Sequence, residues 1–503
     1  MGSPLNITDL KRIKTNPIPT KKRTNKTDHP LMKRFLILLM AYSLSGIPVK
    51  SVAQGRDSLL QLSQEEFLNI VRTFHPVARQ ANLLVDRAKA ELISSRAGFD
   101  PTFYMSADRK TFNGKNYFNW IHPELVIPTW YGIEINTGLE QNLGDLLSSE
   151  ATPGRSSYLG ISVPLAKNLV MDKRRAVLMQ AKVFREQSKA ERLIMLNDLL
   201  FDASYSYWNW AKEYMVYRVL EETITANQIR YGLVKLSYRQ GDKPAIDTTE
   251  ALTQLQSIQL ARNDAWLRFR NAGLELSNYM WQANDTPFYM PSVVFPDTTW
   301  SVVKIANQPL PLLDTLLIVA ARSHPKLQSY DYKLEMLDID RKLKFQELLP
   351  LFNVKYNFLN SGYDITDGGS LRFYENNYKF GFDFGLPLRL SRGRGDYKAA
   401  KIKINQTNLD LSQTRLAIEN KVKYYFNELA MLQTQVVIAE ENYLNYKRLF
   451  KGEEMRFKIG EGSLFLLNLR ELKLLESKQK LLELKSKFYT SYQGLQWSTG
   501  QLR

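Results

Sequence analysis

The sequence predicts a mainly α-helical chain, duplicated along its length, whose long coiled-coil hairpins carry at one pole the strands of a membrane β-barrel. Three observations point there. Two stretches lack both Gly and Pro, 67 residues between Pro164 and Gly232 and 56 between Gly395 and Gly452. The chain repeats its landmarks in the same order at nearly the same spacing. The segment "YKFGFDFGLPL", Tyr378 to Leu388, sets Tyr378, Phe380, Phe382 and Phe384 on one side and Lys379, Gly381, Asp383 and Gly385 on the other, the period of a strand with one apolar face.

The helices come first. The two uninterrupted stretches are rich in Leu, Ala, Glu, Lys and Arg, and at 1.5 Å per residue the first would approach ~100 Å. Both carry heptad spacing: Leu200, Ala203, Tyr207, Trp210, Tyr214 and Tyr217 in one, Tyr425, Leu429, Leu432, Val436, Ala439, Tyr443, Tyr446 and Phe450 in the other. An aromatic stripe of this kind reads as helix packing before it reads as the lining of a passage.

The repeat sets their order. "TFHPVARQ" answers "RSHPKLQS"; Pro76 and Pro325 are each followed 25 residues later by a proline, Pro101 and Pro350, that opens a strand. Return strands close each half, "YLGISVPL" at Pro164 and "YKFGFDFGLPL" at Pro387. Long helices follow both, break near Gly241 in "YRQGDKPAID" and Gly460 in "FKIGEGSLF", and return to the matching ends "GLELS" and "GLQWS". The layout is a leader over 1–53, a first repeat over 54–283 with strands near 101–109 and 156–163, a linker over 284–310, and a second repeat over 311–503 with strands near 351–359 and 378–386. "GRGD", Gly393 to Asp396, reads as a glycine turn between strand and helix; without a following Lys-Ser/Thr it is no phosphate loop.

Four strands per chain at one pole, each about the ~9 to 11 residues that cross a bilayer at a tilt, cannot close a barrel. Open edges are not tolerated in lipid, so copies must associate until the sheet closes, with Tyr378, Phe380, Phe382 and Phe384 facing lipid. The first half is longer between its strand prolines, 63 residues against 37. Lys110 to Arg155 reads as an extracellular loop with its own hairpin, "YGIEINTGLEQ" being the strand-like part; widening of the barrel is the other option.

Composition excludes several classes. At 44% hydrophobic, 24% charged and a mean hydropathy of −0.33, the 503 residues are no polytopic helical membrane protein. Lys33 and Arg34 ahead of a short apolar run from Phe35 to Leu44, ended by Ser51-Val52-Ala53, read as a secretory signal cleaved before Gln54, with Met1 or Met32 as the start. Of the +17 net charge, residues 1–53 hold ten basic and two acidic groups; 68 less 10 and 51 less 2 leave 58 against 49, which gives no support for a nucleic-acid partner. Cysteine is absent, and His75, His122 and His324 have no metal-ligand spacing, so neither catalysis nor a cofactor is expected. Both tips place charge beside glycine: Arg239, Gly241, Asp242, Lys243 and Asp247 in one, Arg456, Gly460, Glu461, Gly462 and Ser463 in the other. These are the candidates for a gate or a docking surface.

With the proline-terminated strands "SVPL" and "GLPL" and the tips "YRQGDKPAIDTTEA" and "RFKIGEGSLFLLNLRE", the ordered layout resembles the TolC-like outer membrane efflux and secretion factors across essentially the whole chain after the leader. The resemblance implies a homotrimer whose twelve strands form a barrel in outer membrane lipid and whose helices form a periplasmic tunnel. It also implies tips that meet a periplasmic adaptor (membrane fusion) protein, linking the channel to an inner membrane pump or transporter in a tripartite efflux pump or type I secretion system. Two features depart from the family: His75-Pro76 and His324-Pro325 stand where Asn-Pro is usual, and the lipidated cysteine of many members is missing. The aromatic strands and long first loop look like a Bacteroidetes-type member. The alternative is an exported coiled-coil scaffold or adhesion protein of the envelope, which would need no lipid-facing aromatics.

Overall fold

The computed structural model describes residues 60–148, 151–291, 293–364, 366, 367, 370, 371 and 376–503; the leader and the expected cleavage between Ala53 and Gln54 lie outside the described residues. The chain begins with β1 (Leu60–Leu62), α1 (Gln64–Phe74) and α2 (Pro76–Arg96). Ser63 caps α1 through a capping box, its hydroxyl accepting the Glu66 N–H while the Glu66 carboxylate accepts the Ser63 N–H. At the α1–α2 junction, His75 Nδ1 accepts the Val77 N–H at 3.2 Å and Pro76 takes the first helical position. The second repeat does the same between α5 (Leu313–Ser323) and α6 (Pro325–Gln346), where His324 Nδ1 accepts the Lys326 N–H at 3.1 Å. An imidazole thus fills the N-cap role that an Asn side chain fills elsewhere. Both rings are buried, and burial lowers the pKa of each, His324 to about 4 with the Lys326 charge assisting.

The long helices are α3 (Lys173–Arg239, 67 residues) with its return α4 (Ala245–Ser277), and α7 (Ser391–Lys458, 68 residues) with its return α8 (Leu464–Ser498). Leu200, Ala203, Tyr207, Trp210 and Tyr214 are buried in one cluster with Phe67, Phe269 and Trp300, so the aromatic stripe is core and does not line a passage. Leu429, Leu432 and Val436 anchor a second cluster with Leu481, Leu484 and Phe488. "GRGD" differs from the expected turn: it lies inside the first turns of α7. Gly393 is there for close packing, since a Cβ would sit 3.0 Å from the Glu347 carbonyl oxygen.

The linker is tied down at several points. β1 pairs in parallel with β6 (Val294–Pro296), and the Tyr207 hydroxyl donates to the Leu62 carbonyl at 2.9 Å. Lys485, 2% exposed, donates from Nζ to the Ser301 and Val303 carbonyls at 3.0 and 2.9 Å and reaches Glu440 at 2.5 Å. Gln433 Nε2 donates to the Ile305 and Gln308 carbonyls.

The sheet corrects the expected strand count. β2 (Thr102–Phe112), β3 (Lys115–Pro128), β4 (Glu134–Leu143), β5 (Gly154–Pro164), β7 (Leu351–Ser361) and β10 (Tyr378–Gly385) form one antiparallel sheet of six in the order β10-β7-β5-β4-β3-β2; a short ladder, β8 (Thr366–Asp367) with β9 (Ser370–Leu371), stands apart. The sheet of one chain thus holds six strands where four were expected. The segment 110–155, expected as a loop with its own hairpin or as a widening, supplies the two further strands of this sheet, β3 and β4. Asn113 and Gly114, both at positive φ (50° and 75°), make the two-residue turn that sends β2 straight back as β3.

Candidate functional site

Register assigns the sheet two unlike faces. Phe103 and Met105 of β2, Ile121 and Leu125 of β3, Ile135 and Leu139 of β4, Leu159 and Ile161 of β5, Val354, Tyr356 and Phe358 of β7, and Tyr378, Phe380, Phe382 and Phe384 of β10 share one. On it the four candidate aromatics of β10 are exposed, Phe382 at 54%, and ring pairs run across the strands, Phe352 to Phe382 at 5.1 Å and Tyr356 stacked on Tyr378 at 5.6 Å. The other face carries His122, Glu124, Asn136, Glu140, Tyr158, Asn357, Lys355 and Asp383. There Lys355 pairs with Asp383 at 2.9 Å and His122 Nε2 hydrogen-bonds Asn142 at 2.8 Å. Polar side chains lie over glycine: a Cβ at Gly138 would meet the Tyr158 hydroxyl at 2.7 Å.

The tips are closed by the same backbone device. Gly241 and Gly460, each at φ +85°, follow the caps of α3 and α7. Gly241 N–H donates to Tyr238 O and Asp242 N–H to Ser237 O; Gly460 N–H donates to Phe457 O and Glu461 N–H to Arg456 O. These are paired Schellman motifs. Pro244 and Ser463 then start the return helices, Ser463 with its hydroxyl accepting the Leu466 N–H. Gly462 admits no side chain, since a Cβ would stand 2.8 Å from Phe457 N.

Lys243 Nζ sits 4.9 Å from the Phe457 ring centroid, joining the two tips of one chain, and Val234, Ala251, Leu464 and Leu467 form an apolar cluster behind them. Arg239 ends α3 and Asp247 lies in the first turn of α4. Among the described residues no ion pair joins Arg239, Asp242 or Asp247 to Arg456 or Glu461; Arg456 instead lies 4.0 Å from Glu453.

Sequence reading missed a buried polar connection between the hairpins. Eleven residues before Gly241, Arg230 makes two hydrogen bonds of 2.9 Å to Glu471, which lies eleven residues after Gly460. Asn227 donates to the same carboxylate at 3.0 Å, and Asn468 reaches Glu250 at 3.2 Å. Glu471 is 3% exposed, so this network binds the two hairpins inside their shared core. The signal available was Asn468 and Glu471 on the buried face of α8 beside Leu464, Leu467 and Leu475.

A sheet with one apolar and one polar face, joined to paired long-helix hairpins with closed tips, is the fold of the TolC-like outer membrane channels. The chain is similar to the Campylobacter jejuni CmeC outer membrane channel (16% identity, TM-score 0.61, covering 87% of this chain and 85% of that one). It is also similar to the outer membrane protein VceC of Vibrio cholerae (12%, 0.60, 87% and 96%) and to the open state of the Neisseria gonorrhoeae MtrE outer membrane channel (13%, 0.59, 90% and 94%). No protein-family model matches the chain, and no curated protein matches it. Among the described residues no helix is long and apolar enough to cross a membrane, and no group of three or more His, Asp or Glu is placed to hold a metal ion.

Proposed function

We propose that the chain is the outer membrane channel of a tripartite efflux pump or type I secretion system, a passive homotrimeric duct whose sheet spans the outer membrane and whose helices reach through the periplasm. The observation that carries this reading is the six-stranded sheet itself. Its exposed apolar face suits lipid and its polar face suits water, and a periplasmic scaffold would need neither. Six strands leave two open edges, which lipid does not tolerate. Exposed apolar residues at heptad-type spacing, Ile246, Leu260, Leu267 and Leu274 on α4 at multiples of seven, and the seven-residue pairs Leu409 with Leu416 and Met431 with Ile438 on α7, offer seams for neighbouring copies. The tips close the duct at rest and a periplasmic adaptor, docking at Lys243 and Ser463 and their neighbours, opens it toward an inner membrane pump.

The test is electrical. Purified protein in planar bilayers gives discrete conductance steps, small at rest, that grow when Asp242→Ala, Asp247→Ala and Arg456→Ala are combined. A trimer recovered from the outer membrane that conducts in neither form contradicts the duct.

A further inference from the structure

We propose that the hairpin of β3 and β4 widens the channel wall, so that three copies of the six-stranded sheet close into an eighteen-stranded barrel with an open aqueous bore, β2 of each copy pairing with β10 of the next. The proposal rests on the trimeric duct above and deepens it by setting the bore.

Both strands are paired within the sheet over most of their length. β3 has 14 residues and β4 has 10, and each is hydrogen-bonded on both sides, β3 to β2 and β4, β4 to β3 and β5. Their connecting turn is anchored on the helices. Trp130 packs on Phe99 with ring centroids 5.6 Å apart, Lys182 of α3 lies 5.3 Å from the Trp130 ring centroid, and Arg174 pairs with Glu134 at 2.8 Å. At the far end, Asp145 and Leu146 N–H donate to the Asn116 and Tyr117 carbonyls, which carries the β3–β4 pairing past Leu143.

The two free edges suit each other, and their occupant is a second copy of this chain. A hairpin adds two strands, so the strand number per copy stays even. β2 leaves the helical pole and β10 returns to it, which makes their junction antiparallel like every other pair in the sheet. The faces also continue across it: Phe103 and Met105 at one edge lie on the face that holds Phe380 and Phe382 at the other. Barrel diameter grows roughly linearly with strand number, so eighteen strands enclose a barrel about 1.5 times as wide as twelve, in the range where side chains no longer fill the interior. The face turned inward is the polar one, with Glu124, Asn136 and Glu140 contributed by the added hairpin.

The chain has no cysteine, so engineered cysteines report cleanly. Thr102→Cys, Tyr104→Cys, Ser106→Cys or Asp108→Cys, one at a time, is combined with Gly381→Cys and treated with a short bis-maleimide; Asn136→Cys or Glu140→Cys with Gly381→Cys is the comparison. Fractionation and native mass are measured first. In an outer membrane trimer, at least one β2 combination yields a covalently closed trimer and the β4 combinations do not, while end-on electron-microscopy averages show the wider barrel. A trimer linked through β4, or through neither strand, means that β2 and β3 lie outside the seam and overturns the wide barrel while leaving the duct. Protein that is not a trimer, or not in the outer membrane, overturns both.

Discussion

The two halves of the chain agree closely in their helices and disagree in their strands. α1 and α2 have 11 and 21 residues against 11 and 22 for α5 and α6, and α3 and α4 have 67 and 33 against 68 and 35 for α7 and α8. At the other pole the first half supplies four strands of the sheet and the second two. Helix length is fixed because each hairpin packs on its counterpart through one core and must reach the same tip level; the Arg230–Glu471 pair requires both to arrive in register. A β-hairpin carries its own hydrogen bonds and preserves strand direction, so one half gains two strands without disturbing the other.

The largest expected effect breaks that shared register. Arg230→Met or Glu471→Leu alone leaves a buried charge unpaired and should cost ~3 to 5 kcal/mol, whereas the two together should recover most of it. Thermal unfolding followed by circular dichroism checks this. Equal losses in single and double variants would mean that the hairpins do not depend on the pair.

Next come the sheet faces. Phe382→Arg in the second half and Ile161→Arg in the first should each cost ~2 to 4 kcal/mol at mid-bilayer and lower the yield of outer membrane protein. Asp383→Arg, on the opposite face and beside Lys355, should cost well under that. Matching losses on both faces would remove the distinction between lipid and lumen.

The caps separate the halves by pH. Folding holds His324 neutral with its pKa near 4, below the ordinary 6.5, so the unfolded chain takes the proton first. Stability is full above about pH 6.5 and is lost as the pH falls toward 4, by roughly 2 to 3 kcal/mol. His75 shifts in the same direction, with a backbone hydrogen bond at Asn278 opposing the burial. His324→Asn keeps a cap acceptor without the proton and should flatten the acid limb of melting temperature against pH; an unchanged limb would place the acid sensitivity elsewhere.

The smallest effects belong to the tips, whose charges are exposed. Asp242→Ala or Arg456→Ala alone should shift the balance between closed and open by less than ~1 kcal/mol, read as open probability in planar bilayers. A single substitution that opens the channel fully would show one dominant latch in place of several weak contacts.

Much of this was legible because repetition is written in landmarks. The prolines at 76, 101, 325 and 350, the tip glycines and the long stretches without Gly or Pro carried the helical plan, and the aromatic alternation from Tyr378 carried β10 and its exposed face. The β3–β4 hairpin was harder to read. Pro123 interrupts β3, and Trp120 and His122 stand on its polar face, so its alternation is weak, while Asn113-Gly114 was the turn signal that could have split the supposed loop. The buried network was hidden for a different reason. Arg230 and Glu471 are far apart in sequence, and a charge on a helix ordinarily marks its wet side.

The central claim is that the sheet stands with one face in lipid and the other in water, and single-cysteine scanning across β10 in assembled outer membrane protein tests it most directly. Cysteines at Lys379, Gly381 and Asp383 should react with a membrane-impermeant maleimide, while those at Tyr378, Phe380, Phe382 and Phe384 should react only with a lipid-soluble one. Uniform labelling along the strand, without a period of two, would contradict the account.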